Sequence, residues 1–86
     1  MENELLALPN LGHTSVNWLR AIGVQTRADL ERIGPVEAFV KVRSRGMRPS
    51  RVFLYSLQAA LLGCHWTELD PDLKRDLIEQ AERLGA

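Results

Sequence analysis

Five cations, Lys41, Arg43, Arg45, Arg48 and Arg51, fall within the eleven residues KVRSRGMRPSR, and no acid stands among them. Guanidinium and ammonium groups at this density hold phosphate or carboxylate oxygens. One such ligand is the phosphate backbone of DNA, contacted without reading base sequence. The other is an acidic surface, on the last helix of the same fold, on another copy of the chain or on a partner protein. Part of the run has a plainer use. Near Gly46, Arg43 and Arg45 complement the negative end of a helix dipole. Arg48 and Arg51 lie beyond that end and are left for one of the two ligands.

A second feature is the turn Leu8-Pro9-Asn10-Leu11-Gly12-His13-Thr14-Ser15. It resembles the Pro-Gly-Ile-Gly turn of helix-hairpin-helix modules, in which a tight turn leads into a helix N-terminus. The backbone amides around Gly12, His13, Thr14 and Ser15 would then face a DNA phosphate at the positive end of the dipole. Asn10 replaces the first glycine of that turn. Asparagine tolerates a left-handed backbone better than other non-glycine residues. Its side chain, however, stands where a backbone would approach phosphate. A purely structural hairpin is the alternative reading of these residues.

Signatures of catalysis are missing. His13 and His65 are far apart, and the adjacent pair Cys64-His65 does not have the ligand spacing of a zinc site. There is no Walker-type loop, dinucleotide fingerprint or Gly-x-Ser-x-Gly elbow. Asp70, Asp72 and Asp76 are accounted for as a helix start and its solvated face. No enzyme activity, cofactor or metal is expected.

Composition bounds the rest. Eighty-six residues suit one domain, and the formal net charge is zero. The neutrality hides two sides: from Arg20 to Arg51 eight basic residues stand against three acids, and from Glu68 onward six acids stand against three bases. The single cysteine, Cys64, excludes an intrachain disulfide. Neither a membrane span nor a signal peptide is present, so a cytoplasmic location is the expectation. The pattern does not fix an oligomeric state.

The elements that must position these residues are helices. Glycine followed by an apolar residue ends three helical segments, at Gly23-Val24, Gly46-Met47 and Gly63-Cys64, which is the Schellman signature. Thr26 with Asp29, Pro35 after Gly34, Ser50, and Asp70-Pro71-Asp72 mark helix starts. A helical turn at 3–7 and helices at about 14–22, 27–33, 35–45, 50–62 and 71–84 follow, with ends good to about two to four residues. The fold class is all-α, a compact bundle of about five short helices of helix-hairpin-helix or SAM-like type. The apolar stretch 52–62 makes the fourth helix central. The buried stripes are Val16, Leu19 and Ile22; Leu30 and Ile33; Val36, Phe39 and Val40; and Leu73, Leu77, Ile78, Ala81 and Leu84. Trp18 and Trp66 are read first as core residues, with a stacking or interface role as the alternative.

Taken together, LPNLG, Ser15, Leu19, Gly23-Val24, Thr26, Asp29-Leu30, Ile33-Gly34 and Val36-Glu37-Ala38, followed by Leu57, Ala59-Ala60-Leu61, Gly63 and His65-Trp66, resemble the TfoX C-terminal domain family. The resemblance spans about residues 5–80 and implies a fold related to helix-hairpin-helix and SAM-like domains. It also implies kinship with regulators of natural competence in bacteria, which act with transcription machinery on DNA-uptake genes. It brings no established set of binding residues. Members usually pair this domain with an N-terminal TfoX domain, which these residues do not include. Two functions stand open: a regulatory domain touching DNA phosphates, and a protein-interaction module without DNA binding.

Overall fold

In the computed structural model, residues 4–85 are described. A 3-10 turn at Glu4–Ala7 precedes five α-helices: α1 (His13–Ala21), α2 (Arg27–Ile33), α3 (Pro35–Ser44), α4 (Arg51–Leu62) and α5 (Pro71–Gly85). A second 3-10 turn, Trp66–Glu68, lies between α4 and α5. No strand occurs among the described residues. The fold is all-α, with the helices where glycine, proline and capping residues place them.

The helix stops follow from local chemistry. At the end of α1, Gly23 has φ 86°. Its N–H donates to the Arg20 carbonyl at 3.0 Å, and the Val24 N–H donates to Leu19 at 2.9 Å. These are the two bonds of a Schellman motif, and buried Val24 packs back onto the core. The end of α4 repeats it, with Gly63 bonded to Ala60 and Cys64 to Ala59. At Gly46 only the bond to Arg43 forms. A Cβ at Gly23 would meet nothing within 4 Å, so a substitution there tests the backbone alone. Gly23→Ala should destabilise by about 1–2 kcal/mol through the left-handed conformation. A thermal melt identical to wild type would contradict it.

Gly34 serves two helices at once, ending α2 through a bond to Leu30 and opening α3 as its N-cap. Its φ 86°, ψ 152° belongs to a region that only glycine enters readily. With a single residue between them, α2 and α3 are held at a fixed angle. At the start of α2, Thr26 Oγ1 accepts from the Asp29 N–H at 3.0 Å. The Asp29 carboxylate in turn accepts from the Gln25 N–H at 3.1 Å. That bond first, then the Thr26 hydroxyl and Arg32, hold the Asp29 carboxyl below the usual carboxylate range.

The core is continuous through all five helices, from Leu5 and Leu11 to Leu77 and Ala81. Helix α4 buries Phe53, Leu54, Leu57, Ala59 and Ala60, as an apolar segment must. Centrality is shared, however. α3 packs against α1, α2, α4 and α5, whereas α4 packs mainly against α3, α5 and the second 3-10 turn and reaches α1 through Phe53 on Trp18. On α3 the fully covered residues are Ala38, Phe39 and Val42, with Val36 and Val40 at the edge. Val42 was masked in the sequence by its place between Lys41 and Arg43. Leu84, read as part of the α5 stripe, is 54% exposed at the rim of the bundle.

Candidate nucleic-acid interface

The turn before α1 is built on Asn10, whose φ of 72° makes it the left-handed non-glycine residue among those described. Its side chain is engaged within the fold at both ends. Nδ2 donates to the Cys64 carbonyl at 2.8 Å, and Oδ1 accepts from the Trp66 N–H at 3.1 Å. Both halves of the amide thus lock the turn onto the segment that follows α4. Leu11 and Val16 occupy the N′ and N4 places of a hydrophobic staple, and both are buried. Together these contacts fix the angle at which α1 begins. The element before the turn is one 3-10 turn rather than a helix, so the likeness to a helix-hairpin-helix resides in the turn and α1.

A cleft of 480 Å³ opens beside this turn. Asn10, Thr14, Ser15 and Trp18 line it from the α1 side. Arg48, Ser50, Val52, Phe53 and Ser56 line it from the α4 side, and His65 and Trp66 close it. The first turns of two helices therefore meet at one concavity. Neither is neutralised from within. Gly12 and Ser50 are the N-caps, neither makes a side-chain cap bond, and neither first turn carries an acid. Ser50 thus occupies the expected position without the expected bond. Helices α2, α3 and α5 do carry an acid there, Asp29, Glu37 and Asp72 respectively. The positive dipole ends of α1 and α4 remain available to an external anion.

The basic run divides. Lys41 pairs with Glu37 at 3.9 Å along α3. Arg43 lies over the Phe39 ring, 5.3 Å from its centroid, and against Gly85. Neither lines the cleft. Further back, Arg27 is held by Glu31 and the Leu61 carbonyl, and Arg32 by Asp29. Arg45, Arg48 and Arg51 are exposed and form no ion pair among the described residues. Pairing of Arg48 and Arg51 with the acidic last helix of the same chain is thus not found. Of the residues singled out from sequence, Thr14, Ser15 and Arg48 come together at the cleft. Gly12 and His13, N-cap and first residue of α1, and Arg51, first residue of α4, do not line it.

Trp18 packs against the core as expected, whereas Trp66 lies outside it. Trp18 packs edge-on against Phe53, with centroids 5.2 Å apart, and Trp66 stacks on Tyr55 at 6.2 Å. Lys74 sits 5.4 Å from the Trp66 ring. Each indole is nevertheless only half-buried and borders the cleft. His65 caps the second 3-10 turn: its Nδ1 accepts from the Thr67 N–H, while Glu68 accepts from the His65 N–H. No three His, Cys, Asp or Glu side chains converge as a metal site would require among the described residues. No helix among them is long and apolar enough to cross a membrane.

A larger concavity of 650 Å³ lies between the α2–α3 junction and α5, bordered by Ile33, Val36, Leu73 and Leu84. Glu37, Gln58, Gln80 and Arg83 also line it, and Arg83 is its one cation among the described residues. The smaller cleft is the one at which two helix N-termini meet.

The described chain is thus an all-helical bundle with one cleft at which two helix N-termini and Arg48 meet. The chain belongs to the TfoX C-terminal domain family, whose model matches residues 1–81. That family is of regulatory type and is not known as enzymatic. Two crystal structures from Listeria monocytogenes share the fold. A protein of unknown function in a tetragonal form is 29% identical, with TM-score 0.83, covering 92% of this chain and 98% of that one. An uncharacterized protein in a triclinic form is 30% identical, with TM-score 0.84, covering 93% and 91% respectively. No curated protein matches the chain.

Proposed function

We propose that this chain is a non-enzymatic regulatory binding domain that contacts DNA through its phosphate backbone. The observation that carries the reading is the convergence of two uncapped, acid-free helix N-termini with the unpaired Arg48 on one cleft. Gly12, His13, Thr14 and Ser15 supply amides and hydroxyls from α1. Arg48 and Arg51 supply charge from the α4 side, and exposed Arg45 extends it. Lys41 and Arg43 contribute through the general field of the basic side. Such contacts position a backbone and carry no base readout. The TfoX kinship supports a regulatory role, which we assign to gene regulation during natural competence.

With no net charge to attract a polyanion, affinity rests on these few groups and is weak. Fluorescence anisotropy with labelled DNA at low salt should show binding that falls with salt, log K declining by about 0.9 per decade for each phosphate neutralised. Arg48→Glu with Arg51→Glu should abolish it at unchanged helical circular dichroism. Lys41→Glu, at a residue already paired with Glu37, should change it far less. Absence of binding at tens of micromolar DNA would overturn the proposal. If salt-dependent self-association appeared in sedimentation instead, the protein-interaction reading would take its place.

A further inference from the structure

The cleft has a floor that phosphate contact does not use. Ser56 lies midway along α4, is 5% exposed, and is the buried polar residue among those described. Helical serines commonly turn the hydroxyl back onto a carbonyl of the preceding turn. The Ser56 hydroxyl makes no such bond and no other hydrogen bond among the described residues. Yet no buried polar side-chain atom is left both sealed and unpartnered, so its Oγ opens into the cleft that the residue lines. A hydroxyl there can donate one hydrogen bond and accept others. Around it stand Trp18, Phe53 and Trp66. At the rim stand Arg48 and the first turns of α1 and α4.

This order, aromatic walls over one recessed, unpartnered hydroxyl with an anion-seeking rim, fits a ligand that is flat and heteroaromatic at one end and anionic at the other. A volume of 480 Å³ is within the usual range of small-ligand pockets. We propose that the cleft takes one unpaired nucleotide of a DNA strand. Its base lies against Trp18 and Trp66 with a polar edge on Ser56 Oγ, and its phosphate sits on the two helix N-termini beside Arg48. The inference rests on the phosphate-contact reading and narrows its substrate to single-stranded DNA, because a paired base is stacked inside the duplex and cannot enter.

The test compares a single strand of about twelve nucleotides with the duplex of the same sequence at low salt, a length within the reach of one small domain. Trp18 and Trp66 are the two tryptophans of the chain, so intrinsic fluorescence reports on the cleft directly. The single strand should bind at least about fivefold tighter than the duplex, as stacking of one base provides, and should quench the tryptophans. Ser56→Ala, which suits a helix, should reduce single-strand affinity by about three- to tenfold and leave duplex affinity unchanged. Equal affinity for strand and duplex, with unquenched tryptophans, would overturn nucleotide capture and leave phosphate contact standing. Binding of neither would overturn both. An unchanged single-strand affinity in Ser56→Ala would remove the hydroxyl from the site.

Discussion

Leu57→Ala is expected to destabilise the fold by about 2–5 kcal/mol, the range for truncating a fully buried leucine. Leu57 has no exposed surface and sits on the face of α4 directed to the core shared with α3 and α5. The lost methylenes forfeit transfer free energy, and the surrounding helices close the space only in part. A chain of this length has about 4–13 kcal/mol of total stability. The substitution therefore removes a large share of it and leaves a measurable unfolded population if the total is near the lower bound. Leu62 provides the control. It lies on the same helix but is 58% exposed, so Leu62→Ala should change stability by no more than about 0.5 kcal/mol. Urea denaturation of both variants decides the matter: midpoints lowered equally would mean that α4 is not buried as described.

That contrast also shows how far sequence reasoning reached. The apolar run of α4 announces a buried helix with Leu57 in the core, but not that Val52 and Leu62 face outward. Helix ends were legible because their causes are local. Gly23-Val24 and Gly63-Cys64 form both bonds of the motif their types predict. Thr26 and Asp70 cap as their types predict, Thr26 Oγ1 accepting from Asp29 and Asp70 Oδ1 from Asp72. Ser50 had the right type and makes no cap bond, since nothing local obliges its hydroxyl to turn inward. The second 3-10 turn was missed because a histidine ring performs the cap there. The cleft could not be read at all. It joins residues 10–18, 48–56 and 65–66, which only the topology brings together. Its members were legible only singly, Thr14, Ser15 and Arg48 as candidate phosphate ligands and Trp18 and Trp66 by their stacking alternative, and Ser56 was passed over as part of an apolar helix. The charge count, likewise, did not reveal that Lys41 and Arg43 are occupied while Arg48 is free.

Asn10 is where the two lines of reasoning diverge most, and a graded series there separates them. If Asn10 served only to supply a left-handed turn, Asn10→Gly would stabilise or be neutral, and it would restore the glycine of the helix-hairpin-helix pattern. The hydrogen bonds predict otherwise. Asn10→Gly keeps the backbone but leaves the Cys64 carbonyl and the Trp66 N–H without their partner, so stability should fall by about 1 kcal/mol. Asn10→Asp should fall further, by about 1–3 kcal/mol. It keeps the acceptor for Trp66 but replaces the Nδ2 donor with a carboxylate oxygen facing a carbonyl oxygen, an unsatisfied and repulsive contact in a half-buried place. Chemical denaturation of the three proteins should therefore rank wild type above Gly above Asp. The same series bears on function. The Asn10 amide holds the Cys64–Trp66 segment against the turn and so sets the width of the cleft. Asn10→Gly should weaken DNA binding, even though a bare glycine backbone would be the better phosphate ligand. Tighter binding in Asn10→Gly would mean that phosphate approaches the turn itself, and that the cleft is not where the strand lies.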